Sequence, residues 1–384
     1  MRLYSTRAGY LHHVQSDYDC FVPNRISSIK IDYDLELISL LDSANKKIGI
    51  LDGILAYLPN RDVFLSMYVQ KEALLSSQIE GTQASLSDVL QQNIVGNEKP
   101  KDTEEIVNYV RALNKGIELR KQLPFSIRYI RELHKTLLAG VRGEKKDPGE
   151  LRRSQNWIGP QGCNLHNASF VPPTPDKMLT ALYELEEDVN SKVFINPPLV
   201  EAALIHYQFE TIHPFLDGNG RLGRLIIPLF LLDREVFSAP SIYLSLYFKQ
   251  NRSDYYQLLS DVRFKGNYES WIKFFLKGIC EISDNSIRSI EDMKKLGEEI
   301  SDKINIMDYK NKELLYKALE LLYAHPYFLS KDLVKGLNIT RPTASVIIKK
   351  LLDIDVIHSI NNKQRNTLYR FSKYVEILEE GTNI

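Results

Sequence analysis

The run His213-Pro214-Phe215-Leu216-Asp217-Gly218-Asn219-Gly220-Arg221-Leu222-Gly223-Arg224 constrains this chain more than any other stretch. An apolar, helix-patterned segment from Leu199 to Ile212 leads into it, and another from Leu225 to Leu232 follows. Pro214 disfavours helical backbone at the residue before it, so the first helix should stop near His213 and leave the imidazole at its end. Asp217-Gly218-Asn219-Gly220 reads as a tight loop, because glycine reaches the required dihedrals at no steric cost. The second helix then opens near Gly220 or Arg221, with its free N–H groups facing back into the loop. Backbone donors at a helix start form a concave anion site. Arg221 and Arg224, three apart, project from one face of its first turn. A candidate base, a carboxylate suited to a hard cation, phosphate-cradling glycines and two guanidinium forks thus fall within one short segment.

At 384 residues the chain exceeds one small core, so two or three domains are expected. A hydrophobic share of 43% and a charged share of 26% are those of a soluble globular protein. Net charge is zero, which removes any global attraction to nucleic acid or membrane and leaves only a local patch to supply one. Cys20, Cys163 and Cys280 are odd in number and far apart, with no CxxC pair. This argues for a reducing compartment and against a structural zinc site. Met1 to Gln15 has no apolar core of signal-peptide length and no run reaches membrane-spanning length. The expectation is a cytoplasmic protein without a membrane partner.

The twelve residues from His213 to Arg224 resemble the signature of the Fic family, HPFx(D/E)GNGRxxR, with every fixed position matched. The resemblance implies an ATP-dependent adenylyltransferase that moves AMP onto a protein hydroxyl of Tyr, Thr or Ser. His213 would be the general base. Asp217 would hold Mg²⁺, and the amide of Asn219 with the N–H groups around Gly218 and Gly220 would cradle the α- and β-phosphates. Arg221 would contact the β-phosphate and Arg224 the γ-phosphate, with Leu222 and Gly223 in the same nucleotide-binding segment. Phe215 is a core anchor for the loop.

A second motif, Ser76-Ser77-Gln78-Ile79-Glu80-Gly81, ends a helix that Asp62 should cap and Gly81 should stop. Glu80 in the last turn sits where the macrodipole disfavours an anion, so a cation reached across the fold would stabilise it. The segment resembles the (S/T)xxxE(G/N) inhibitory motif of one class of Fic proteins. That resemblance pairs Glu80, with Ser76, against Arg224 and keeps ATP out of its productive pose. Glu80 could also orient water for AMP removal.

Taken in order, residues 1–34 read as an irregular arm, Leu35 to Leu58 as a helix before a break at Pro59-Asn60, and Gln91 to Glu105, with Asn97, Lys99 and Pro100, as a loop. Helical pattern resumes over Glu104–Leu119 and Ile127–Leu138. Arg152–Gly159 and Asn167–Pro173 look extended, with Gly159-Pro160-Gln161-Gly162 between them. They are similar to the family's flap, a hairpin that holds a target segment by strand addition, and Ser169, Phe170 and Val171 would border the nucleotide. Pro175 to Asn190 is a helix, and Lys249 to Tyr256 begins another with Ser253 as cap. By the resemblance Tyr255 and Tyr256 line the adenosine pocket by stacking, with Gln250, Asn251 and Arg263 as further wall. Ile282 to Ile304 is amphipathic. Lys312–Ala324, Ser330–Leu337, a Thr340-capped helix to Leu352 and strands Val356–Ile360 and Thr367–Phe371 around Asn361–Arg365 follow the winged-helix plan. Between Lys331 and Lys373 nine Lys or Arg face three Asp. That excess suits DNA phosphates, with Arg341, Thr343 and Ser345 as groove contacts.

The expected protein is mostly α. An N-terminal part (1–103) carries the inhibitory helix (about 62–80), followed by a helical core with a β-hairpin flap (104–282), a connector (283–308) and a winged-helix domain (309–384). ATP, Mg²⁺ and a hydroxyl-bearing protein target are the partners; the chain itself as target, a homodimer, and DNA or protein on the winged unit are left open. The alternatives are a DNA-binding regulator whose core senses nucleotide, or transfer of another phosphate-containing group.

Overall fold

The computed structural model describes residues 4–382 except 16–17, 59, 93, 95–101, 161, 192–195 and 362–365. Pro59, Asn97, Lys99, Pro100, Gln161 and the tip Asn362–Arg365 therefore lie outside the described residues. The N-terminal segment is not an irregular arm: β1 (Gly9–Val14) and β2 (Tyr18–Pro23) form an antiparallel hairpin. Its aromatic residues lack periodicity because β2 is buried almost throughout. Phe21 donates its N–H to Val171 O and its ring lies 6.1 Å from Phe170.

Helix α1 (Leu35–Ala56) starts on Asp34, whose carboxylate accepts the Leu37 N–H. α2 (Arg61–Ile79) opens from Asn60 in the left-handed region, φ 59°, so Asp62 lies in its first turn and is not the cap. Short α3 (Leu86–Gln91), which the sequence reading did not mark, has a Ser85–Asp88 capping box. α4 (Thr103–Arg120), α5 (Ile127–Leu137) and α6 (Pro175–Asn190) fall where periodicity placed them. The segment between α5 and α6 has less strand than expected. Ile158 and Phe170 exchange backbone hydrogen bonds at one isolated bridge.

α7 (Pro198–Ile212) and α8 (Asn219–Asp233) form the centre and are buried on nearly every face. They meet where Gly223 leaves no room for a side chain: a Cβ there would lie 2.3 Å from Glu210 Oε1. α9 (Ser245–Gln250) and α10 (Arg252–Lys265) break at Asn251, so Ser253 sits inside α10 and does not cap it. α11 (Tyr268–Ile306) is one 39-residue helix, about 58 Å at 1.5 Å per residue, and it runs unbroken through position 282.

Beyond it come α12 (Lys312–Ala324), β3 (Tyr327–Leu329), α13 (Ser330–Leu337), α14 (Arg341–Asp353), β4 (His358–Ser359), β5 (Leu368–Arg370) and α15 (Ser372–Glu379). The strands are antiparallel in the order β3-β5-β4. This unit does not stand apart, because α12 and α15 pack on α2 and α11. No helix among the described residues is long and apolar enough to cross a membrane.

Candidate active site

Helix α7 ends as Pro214 requires. His213 is its C-cap in the left-handed region (φ 49°, ψ 62°) and donates its N–H to Phe209 O. A non-glycine residue held there is strained, and the surroundings fix it. The buried Arg152 guanidinium donates to His213 O (3.0 Å) and Pro173 O, while Asn156 Nδ2 reaches His213 O (3.2 Å) and Phe215 O (3.1 Å). The half-buried imidazole contacts Glu210 O through Nδ1 at 3.3 Å, which places the proton on Nδ1 and leaves Nε2 as acceptor. Burial first, then the Arg152 and Arg263 charges, push its pKa down to about 4, against the partial opposition of the Glu210 carbonyl.

The following loop is braced from within. Asn219 Oδ1 accepts the Phe215 N–H (2.9 Å) and Nδ2 donates to Phe215 O (2.8 Å). Its side-chain amide is therefore engaged inside the loop and does not cradle phosphate; only its backbone N–H remains at the start of α8. Gly218 takes φ +77° as the N-cap, and its N–H bonds Asp217 Oδ1. His134, which the sequence reading passed over, stacks on Phe215 with ring centroids 3.7 Å apart. Its Nδ1 accepts the Gly149 N–H (2.8 Å), so Nε2 carries the proton and donates to Asp217 O (2.9 Å).

Arg221 is 1% exposed, with Nη1 3.2 Å from Glu105 Oε2 and Nη2 3.6 Å from Asp217 Oδ1. Glu105, also missed, is itself held by Thr82 Oγ1 (2.9 Å). It could not be found by motif because it lies on α4, far from the signature in sequence. Leu222 is fully buried core and Gly223 faces α7, so neither reaches the loop's open side.

Arg224 closes the arrangement. Its Nε donates to Ser76 Oγ (2.9 Å), and its Nη2 donates to Ser76 O (2.8 Å) and Glu80 Oε1 (2.7 Å). Burial pushes the Glu80 carboxyl up, but the Arg224 charge and hydrogen bond outweigh it and hold the group below the usual range. Burial likewise works against the Arg224 cation, and Glu80 overcomes it and raises that pKa. Glu80 also sits over the helix start, since a Cβ on Gly220 would lie 2.3 Å from Glu80 Oε1. One carboxylate thus lies against the helix start and engages the second arginine.

The expected nucleotide wall is only partly assembled. Tyr256 is 41% exposed and close enough for Glu80 and Arg224 to act on its hydroxyl. Tyr255 is core: it is 1% exposed, stacks on Phe248 and shares its hydroxyl with His206 Nε2 (2.8 Å). Phe170 is buried against the Arg263 guanidinium (3.9 Å), Val171 O is taken by Phe21 N, and Ser169 is exposed. Asn251 Nδ2 turns back onto Tyr247 O. Gln250 lines a different cavity, beside Gly381.

Asp217 is the loop's one carboxylate, and no cluster of three or more His, Cys, Asp or Glu side chains could hold a metal among the described residues. That donor set fits Mg²⁺ arriving with a nucleotide, since Mg²⁺ takes one or two carboxylates and fills its shell with phosphate and water.

Residues 38–118 match the Fic/DOC family N-terminal domain and residues 124–231 the Fic/DOC family domain. The chain is 32% identical over 157 residues to the protein adenylyltransferase Fic of Drosophila willistoni, across 41% of this chain and 28% of that one. Against the protein of the same name from Aedes aegypti the identity is 32% over 150 residues, across 39% and 26%. The match therefore spans less than a third of either relative. A crystal structure of a Fic family protein from Desulfovibrio desulfuricans G20 aligns over 89% of this chain and 97% of its own, at a TM-score of 0.58 and 18% identity. Fic-1 (residues 134–508) from C. elegans aligns over 68% and 75%, at 0.51 and 20%. These two share the fold. With both domain models matched and the signature loop folded between α7 and α8, residues 38–231 carry the Fic/DOC family N-terminal and Fic/DOC family domains.

Proposed function

We propose that this chain is a protein adenylyltransferase that carries its own inhibitor. The observation that carries the proposal is Glu80 bonded to Arg224 and lying against Gly220, at the helix start that would cradle a triphosphate. In the open form the α8 N-terminus and Arg221 hold the α- and β-phosphates, and Arg224, freed of Glu80, holds the γ-phosphate. Asp217 would bind the Mg²⁺ that accompanies ATP, whose charge offsets that of the reacting phosphates. His213 Nε2 accepts the proton of a target hydroxyl as the hydroxyl oxygen bonds to the α-phosphorus. The bond from that phosphorus to the bridging oxygen breaks, pyrophosphate leaves, and AMP stays on the target. The left-handed backbone at His213 aims the imidazole, and Arg152 and Asn156 keep it there.

Intact-mass analysis of the Glu80→Gly protein with ATP and Mg²⁺ tests the reading. One added AMP on the chain or an added protein supports it, and no transfer to any hydroxyl-bearing protein removes it. His213→Ala in the same background should abolish the gain. The position of Glu80 beside the loop also favours a second activity, orientation of water against an AMP ester. Release of AMP from purified modified protein by the wild type, but not by the Glu80→Gly protein, tests it. The three free cysteines accord with a reducing cytoplasm.

For the C-terminal unit, read as a winged helix, we infer contact with DNA phosphates through α14, where Arg341, Ser345 and Lys349 are exposed. Thr343 is withdrawn from that role, because its Oγ1 pairs with Thr340 Oγ1 at 2.8 Å. A mobility shift on duplex DNA that weakens steeply with salt tests it.

A further inference from the structure

A cavity of about 260 Å³ opens between α2, α9, α11 and the chain end at Glu380–Gly381. That volume is just below the range of about 300–1,000 Å³ for drug-sized ligands, so it suits a metabolite. Its donors are under-used. Lys71 is 8% exposed, its ammonium donates to Glu380 O (2.7 Å), and it has no carboxylate within ion-pair distance among the described residues. Two of its three donor positions remain. The Tyr243 hydroxyl, on a side chain 5% exposed, has no partner among the described residues. Arg288 stands exposed at the mouth, with no ion-pair partner among the described residues. The interior acid, Glu72, already accepts from Ser245 and Tyr109 through both oxygens, and Glu281 and the Glu380 carboxylate lie at the rim. Burial lowers the Lys71 pKa to about 8, as an ammonium short of anionic partners requires.

We propose that this cavity binds a small molecule bearing a carboxylate or phosphate group, and that its occupancy acts on the inhibitory helix. The lever is short. Lys71 and Glu80 lie on one helix, about 14 Å apart along its axis at 1.5 Å per residue. Glu72, adjacent to the cavity, is coupled to Arg224, whose charge partly offsets the burial that pushes the Glu72 carboxyl up to about 7. The chain end grips α2 at a second point, where Lys249 Nζ bridges Gln78 Oε1 (2.9 Å) and Thr382 O (3.1 Å). An anion that draws Lys71 away from Glu380 O therefore changes how the chain end holds α2. This regulatory half rests on the autoinhibition proposed above; the binding half does not.

Fluorine NMR of the full chain tests both, with fluoroacetate as the carboxylate probe and monofluorophosphate as the phosphate probe. Saturable broadening of either probe supports the site if Lys71→Met removes it, Tyr243→Phe weakens it about fivefold (the loss of one hydrogen bond) and Arg224→Ala leaves it. Which probe responds names the ligand class. No broadening, equal broadening in the wild type and both cavity variants, or loss only in Arg224→Ala overturns the site. With the binding probe at saturation, AMP transfer by the wild type should change several-fold while that of Glu80→Gly stays constant. Unchanged transfer by the wild type overturns the regulatory half. If neither protein transfers AMP, the proposed reaction fails and the binding result still stands.

Discussion

Replacing Glu80 by glycine should raise AMP transfer, and the structure bounds by how much. On the proposed inhibition, productive ATP binding in the wild type requires the Glu80–Arg224 hydrogen bond (2.7 Å) to open and the carboxylate to leave Gly220. A hydrogen bond to a charged group contributes about 1.5–3 kcal/mol net. The lower part of that range applies if water screens the Glu80 side chain, which is 32% exposed; the upper part applies if the 2%-exposed Arg224 dominates. Since about 1.4 kcal/mol is tenfold in a population, the competent fraction should rise roughly 10- to 150-fold. Glu80→Gln keeps the shape and loses the charge, so it should fall between. Arg224 keeps its two Ser76 contacts in the variant, so the fold should persist with a loss of stability of about 1.5–3 kcal/mol. Initial rates of labelled-AMP incorporation at subsaturating ATP measure the effect. Equal rates for wild type and Glu80→Gly would refute the argument, as would a rise that survives His213→Ala.

Four further outcomes follow from the contacts of the site. The folded pKa of Glu80 lies below its ordinary value, so the ion pair is complete above the usual carboxylate range and is lost only as pH falls through the depressed value. Transfer by the wild type should then stay suppressed from about pH 8 to about pH 5. In Glu80→Gly, the acid limb of kcat/KM should lie near the lowered His213 value of about 4 or below, since Glu80 is one of the groups raising it. A limb at the ordinary imidazole value would contradict the burial argument. Asn219→Ala leaves the buried Phe215 N–H without its partner, while the carbonyl keeps Asn156 Nδ2. It should cost about 1–3 kcal/mol in denaturant unfolding and weaken ATP binding as well. Gly223→Ala must displace the buried Glu210 carboxyl and press on the Phe209 ring, or spread α7 and α8. A loss of about 1–3 kcal/mol is expected, and a melting temperature equal to the wild type would show that the helices give way freely.

Local chemistry made much of this legible. The end of α7 at His213, the glycine turn and the start of α8 were written into Pro214, Gly218 and the flanking apolar periodicity, and their rules act within a few residues. Glu80 and Ser76 were legible only by likeness, since nothing near α2 in sequence says which cation it meets. The N-terminal hairpin was not legible, because a strand buried on both sides lacks alternation. Tyr255 and Gln250 were misplaced for a related reason: an aromatic or amide near the right position has the same chemistry whether it faces a purine or the core.

The sequence by itself determined a helix–loop–helix anion site with an imidazole at its entrance, because dihedral preference and missing N–H groups belong to the chain locally. Only the tertiary structure decided how that site is held and filled. Glu105 arrives from α4, His134 from α5, Arg152 from the segment before α6, and Glu80 from α2. Each is brought to the loop by the packing of helices around α7 and α8, and the resulting burial moves the His213 pKa far from its solution value.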